Sequence, residues 1–318
     1  MRSRNHGVPA LLVALGLAIG LAGGATHTAF FATTSNNGNS ITADPDWTAP
    51  SASGSVIMRD GGNFPGYVRQ GGQYYVYANV TDSGNPPSGI ASVTADVSSV
   101  TTGQTAAPLT AGSWIVAGVT YNYRSALLTV NALAPGAKPY SLTMTDVRTN
   151  SATQGGFVVT VDNTRPSGSD IQTANLVFVA GHAETGDTIT FTYTEMIDPY
   201  TIMAGWDGSA TSVTVRIANG PIGDTLQVRN GATTLPFGTI WLMGDYATNP
   251  VNFTGSTMIQ SGPSITITLG IPDRPARLLT ETDAGTIWWI PSTTPTDIAG
   301  NACQNTLVNE SGAADVEF

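Results

Sequence analysis

Hydrophobic positions along this chain recur at every second residue, in short runs separated by turn-rich segments. Tyr74, Val76, Ala78 and Val80 fall on one face of an extended segment. Ile90 with Val93–Val97, Trp114–Val119, Ala126–Val130, Tyr140-Leu142-Met144 and Phe157-Val159-Val161 continue the pattern. A period of two is the signature of half-buried strands. Asp82–Gly89, rich in Gly, Pro, Ser and Asn, marks a turn between two of them. About seven such strands in a stretch of this length predict a β-sandwich. A second series follows at Ser212–Ile217, Thr225–Val228, Thr239–Leu242, Ser264–Leu269 and Thr286–Ile290. It is spread over more chain, which predicts irregular inserts around Gly244–Gly262 or Pro272–Gly285.

Two similar punctuation marks frame these series. Asp46-Trp47-Thr48-Ala49-Pro50-Ser51 and Asp162-Asn163-Thr164-Arg165-Pro166-Ser167 share the pattern Asp-x-Thr-x-Pro-Ser, 116 positions apart. Proline fixes its own φ and holds its predecessor extended, so each mark reads as a stiff joint. Recurrence at domain length predicts tandem modules. The expected division is a leader over 1–29, a polar linker over 30–50, one sandwich over 51–162 and a larger one over 163–318.

The leader changes the picture from fold to address. Arg2 and Arg4 precede an apolar, glycine-rich run from Val8 to Ala22, and small residues follow at Ala25 and Ala29. That order describes a secretory signal peptide, a hydrophobic signal helix removed on export. Cleavage is expected after Ala29, with Ala25 the alternative. The run is short for a permanent membrane span, so the mature chain is expected to have none.

Composition agrees with an exported all-β protein. Charged residues are only 11% of the chain, and Gly and Pro number 36 and 19. These two residues are costly in helix interiors. The net charge is −10, which disfavours nucleic-acid binding, since that needs basic surface to displace counterions. Lys138 is the single lysine, so a Lys–Asn isopeptide crosslink in both modules is excluded. Cys303 is the single cysteine. No internal disulfide can form, and each module must hold by packing.

Two resemblances add to this. Leu15–Ala43, with Gly-Gly-Ala-Thr-His-Thr-Ala-Phe-Phe running into a polar Asn/Ser/Gly segment, resembles the export signal of camelysin and biofilm-matrix-fibre proteins. Tyr140–Asp146 and Gly156–Asp162 resemble the last two strands of a bacterial immunoglobulin-like repeat. Gly186–Pro199, with its Thr-Glu195-Met-Ile-Asp198-Pro bend, resembles the immunoglobulin-like domains of bacterial surface-layer proteins, as does Thr296-Asp-Ile-Ala-Gly-Asn301. They imply two tandem immunoglobulin-like sandwiches on a bacterial protein that is secreted or held at the cell surface.

Candidate chemistry is sparse. His182 is the only histidine after the leader. A hydrolase would need a cleft that gathers it with Asp or Glu, and no enzyme activity is expected. No cofactor is expected, with calcium as the candidate ion, because carboxylates in loops between sandwiches suit it. Asp46, Asp162, Asp170 and Asp297 are the candidate ligands, against turn-forming Asp as the plainer reading. Trp206, Trp241, Trp288 and Trp289 are candidates for stacking on a sugar or a protein partner. Trp288 and Trp289 must point to opposite faces of a strand. The expected function is structural or adhesive, through contact with a cell-surface polymer, glycan or protein. A binding module that uses the tryptophans is the alternative.

Overall fold

The computed structural model describes residues 46–318 apart from 132–133, 177–178 and 221. The leader, both cleavage positions and most of the polar linker lie outside the described residues. Among the described residues no helix is long and apolar enough to cross a membrane.

The first module contains β1 (Ser51–Arg59), β2 (Tyr67–Val68), β3 (Gln73–Thr81), β4 (Ile90–Asp96), β5 (Ala107–Val116), β6 (Val119–Ser125), β7 (Leu128–Thr129), β8 (Gly136–Asp146) and β9 (Ser151–Val161). Neighbours run β1-β3-β6-β5-β4-β8-β9-β2. This is the A-B-E-D sheet joined to the C-F-G sheet of an immunoglobulin-like sandwich. β5 joins them, because its first residues pair with β4 and its later ones with β6. The short β2 closes the edge by pairing parallel to β9. Tyr74, Val76, Ala78 and Val80 are buried, and they meet Leu142, Met144, Val159 and Val161 from the other sheet.

Trp114–Val119 is not one strand. Ala117 and Gly118 have φ of 47° and 79° and turn the chain so that Val116 pairs with Val119. A two-residue loop with both φ positive matches the twist of a hairpin. Alanine in that role hid the turn.

The second module contains β10 (Gly168–Ala174), β11 (Thr188–Tyr193), α1 (Pro199–Ile202), β12 (Thr211–Ala218), β13 (Thr225–Asn230), β14 (Thr233–Thr234), β15 (Thr239–Trp241), β16 (Val251–Ser261), β17 (Ser264–Thr268), β18 (Ile271–Pro272), β19 (Trp288–Ile290) and β20 (Val308–Asn309). The order β10-β11-β17-β16-β12 repeats the first module's path. β13 and β15 then widen the second sheet before β19 and β20. The extra length therefore includes a paired hairpin. Gly244–Gly262 is mostly strand, not an irregular insert. Gly255, with φ of 70°, belongs to a bulge in β16, where two residues lie between Phe253 and Ser256 against the one between Val213 and Val215 of β12. Glycine at a bulge leaves the strand intact, although in sequence it looks like a break. Pro272–Gly285 carries only a 3-10 turn at Pro275–Arg277 and no long strand.

Candidate functional site: the acidic joints

Each Asp-x-Thr-x-Pro mark enters its module through the same clasp. In the first, the Asn150 side-chain amide donates to the Asp46 carbonyl (3.2 Å) and to Asp146 Oδ2 (2.7 Å), while Asn150 N donates to Asp146 Oδ1 (2.8 Å). In the second, the Asn301 amide donates to the Asp162 carbonyl (2.9 Å) and Asp297 Oδ2 (2.8 Å), and Asn301 N donates to Asp297 Oδ1 (2.7 Å). The entering Asp turns its own chain in both, accepting from Thr48 N and Thr164 N. The tight turn needs a left-handed residue before each Asn. Gly300 supplies it at φ 97° in the second module and Thr149 at 70° in the first, where a side chain makes that conformation costly.

A third carboxylate completes each group. Asp46, Asp82 and Asp146 bring one oxygen each within 4.8 Å of one another, as do Asp162, Glu195 and Asp297. The two differ in how their charges are met. In the first, N–H groups reach every carboxylate oxygen: Ser88 N meets Asp46 Oδ2, and Gly84 N and Gly89 N meet Asp82. This group satisfies itself as a turn network. In the second, Glu195 Oε1 is buried with no partner. Burial first, then the charges of Asp297 and Asp162, push the Glu195 carboxyl up to about 7. Asp297 is also raised by burial, against the hydrogen bonds from Asn301. The second joint is therefore the one that gains from a proton or an oxygen-seeking cation such as calcium.

The raised carboxyl has a pH consequence. Glu195 holds its proton more tightly folded than unfolded, so its contribution favours folding at low pH and is lost as pH rises from about 4.5 through about 7. Glu195→Gln in chelator should stabilise the protein at pH 8 by about 1–2 kcal/mol, solvent screening having reduced the full value. It should change little at pH 4.5. Thermal melts of both proteins across that range check this.

The second joint is also tied to the first module. Arg59, at the end of β1, pairs with Asp198 and donates through Nε to Ile298 O (3.3 Å). Asp198 caps α1 by accepting from Tyr200 N. Its own N–H donates to Thr296 O, and Thr296 N donates to the Thr201 hydroxyl. Arg59 thus holds α1, α1 holds Thr296, and Asp297 follows. Across the linker, Arg165 donates to Ala302 O and Cys303 O, and Gln70 N donates to Asn163 Oδ1.

Of the candidate residues, Asp46, Asp162 and Asp297 enter the joints. Asp170 does not. Its carboxylate accepts from Ile171 N, Ser311 N and the Ser311 hydroxyl. Asp82, Asp146, Asn150 and Glu195 were not singled out as ligands. A signal was present, since Thr-Asp146-Val-Arg-Thr-Asn150 and Thr-Asp297-Ile-Ala-Gly-Asn301 share a Thr-Asp-x-x-x-Asn pattern.

The tryptophans divide. Trp289 and Trp206 are core residues, with Nε1 donating to Phe237 O and Ser209 O, so neither can stack on a ligand. Trp241 and Trp288 pair across β15 and β19, and Trp288 is 37% exposed. A further aromatic group lies on the first module, where Arg124 sits over the rings of Tyr75 (4.4 Å) and Trp114 (4.9 Å).

His182 does line a cleft of about 290 Å³ with Glu184 and Thr185. Its Nδ1 lies 3.0 Å from the Leu279 carbonyl, which only accepts. The Thr185 hydroxyl is committed to Gly270 O (2.9 Å) and Glu184 to Val179 N. The Thr280 hydroxyl also reaches Nδ1 (3.3 Å), so this nitrogen is shared between a backbone carbonyl and a hydroxyl, and Thr280 is not among the residues that line the cleft.

No family model matches the chain, and no curated protein does. A solved structure named BspA_C_WT is similar over 81% of this chain and 97% of that one, at 10% identity and a TM-score of 0.19, too distant to bear on function.

Proposed function

We propose that the chain is a non-enzymatic extracellular or cell-surface structural protein, a two-module spacer whose modules are fixed to each other. The observation that carries this reading is the joint: an Asp–Asn clasp with the same hydrogen bonds at both module entrances, reinforced at the second by the Arg59–Asp198 pair. A flexible tether would bury no charge. The export signature supplies the address. Expressed with its leader in a bacterial host, the protein should appear in the medium or on the cell surface. The mature protein should hydrolyse no member of a polysaccharide and peptide panel. Accumulation in the cytoplasm would contradict the address, and turnover abolished by His182→Ala would contradict the non-enzymatic reading.

A second reading rests on the Trp241–Trp288 pair. Trp288 is partly exposed between Trp241 on β15 and Asn309 on β20, and a partly exposed ring beside a polar side chain suits a sugar face. The module would then hold a glycan while serving as a spacer.

A further inference from the structure

A third acidic group lies at the far side of the second module, away from both joints. After β20 the chain runs from Glu310 to Phe318 back along the sandwich. Glu310 N donates to Ile287 O, and Asp315 exchanges backbone hydrogen bonds with Gly285 (2.7 and 3.1 Å). Glu317 N donates to the Tyr246 hydroxyl oxygen (2.9 Å). Phe318 is buried edge-on against Tyr246, with ring centres 5.7 Å apart.

These contacts bring three carboxylates together. One oxygen from each of Glu310, Asp315 and Glu317 lies within 4.8 Å of the others. Glu317 is completely buried and Glu310 is 9% exposed. Glu317 Oε2 accepts from the Thr173 hydroxyl (2.6 Å), but Oε1 is buried with no hydrogen-bond partner. No Lys or Arg pairs with any of the three among the described residues. Asp170 adds a further nearby negative charge and is itself occupied by Ser311.

A buried carboxylate crowded by two more, with one of its oxygens unpartnered, is costly by several kcal/mol unless a proton or a cation lies between them. The donor set is oxygen only, which selects a hard cation over zinc or copper. Calcium–oxygen distances are about 2.4 Å, so two oxygens on one ion stand at most about 4.8 Å apart. Calcium also tolerates the irregular arrangement that a strand end and a returning segment provide.

We propose that Glu310, Asp315 and Glu317 form a calcium site that fastens the C-terminal segment to the second sandwich. Asp315, exposed, is the entry side. Glu317 is the inner ligand, oriented by Thr173. The ion would link β20, β10 and the segment carrying Phe318.

Calcium titration of the full protein at pH 7.5, with hydrogen exchange read residue by residue, tests this. Calcium should slow exchange across 310–318 at least tenfold relative to chelator. Glu317→Gln should bind one calcium fewer than the wild type and lose that protection, while near-UV circular dichroism stays unchanged. Asp315→Asn, a surface change that leaves the fold intact, should weaken calcium binding at this segment at least tenfold. The joints are separate in this readout, because their amides lie elsewhere in the sequence. If calcium leaves exchange over 310–318 unchanged in the wild type, a proton fills the gap and the proposal is overturned. Equal calcium stoichiometry in Glu317→Gln and wild type would overturn it as well.

Discussion

Arg59→Ala is expected to uncouple the two modules and to cost about 3 kcal/mol. Arg59 and Asp198 side chains are 14% and 1% exposed, so removing the guanidinium leaves a carboxylate in a place water barely reaches. Asp198 is raised by burial even with Arg59 beside it. Without the arginine it should rise further and take up a proton. A carboxyl raised in the folded state favours folding when protonated, and that contribution disappears as pH rises through its folded value. The loss in Arg59→Ala should therefore be larger at pH 8 than at pH 5. The damage should spread along the chain of contacts. Asp198 caps α1, α1 holds Thr296, and Thr296 precedes the Asp297–Asn301 turn that receives the linker. Calorimetry should show one coupled transition in the wild type splitting into two. Asp198→Asn should be milder, because it keeps an acceptor for Tyr200 N and leaves Arg59 able to reach solvent.

Trp289→Ala should cost about 3–5 kcal/mol and unfold the second module at moderate temperature. The ring is fully buried, edge-on to Phe191 (5.2 Å) and Tyr193 (5.1 Å). Its N–H donates to Phe237 O at 2.7 Å, so truncation opens a cavity and orphans a buried carbonyl. Trp288→Ala, one residue away, should cost only about 1–2 kcal/mol, because the ring is partly exposed and removing it orphans no buried carbonyl. Denaturant melts of the two variants measure the contrast directly. The same Trp288 variant probes the glycan reading. If the partly exposed ring stacks on a sugar, retention on the polysaccharide that binds the wild type should disappear while the fold is kept.

The strand alternation was legible because it reports a burial period, and Tyr74 through Val80 are buried as the pattern requires. The opposite fates of Trp288 and Trp289 followed from the same period. Turns were legible where Gly, Pro and Asn supply them and not where Ala117 does. The hairpin at β13 and β15 was visible as strands, but sequence gives no way to place it between β12 and β19. The joints were half legible. Asp46, Asp162 and Asp297 stood out beside Pro and Gly, whose backbone effects are local. Glu195 and Asp82 come from distant loops, and only the packing of the sandwich brings them in. The Arg59–Asp198 pair joins residues 139 apart and leaves no local trace at all. Asp170 was singled out for its place near a linker, yet its partner is Ser311 at the far end of the chain.

Fixed geometry between the modules is the claim on which the structural reading depends. It is measured most directly by pulsed electron spin resonance between nitroxides at Thr110→Cys and Ser261→Cys, both exposed positions on different modules. The native Cys303 is buried and so is protected from labelling. A single narrow distance distribution, broadened by Arg59→Ala, is the predicted result. A broad distribution in the otherwise wild-type protein, unaffected by Arg59→Ala, would contradict it.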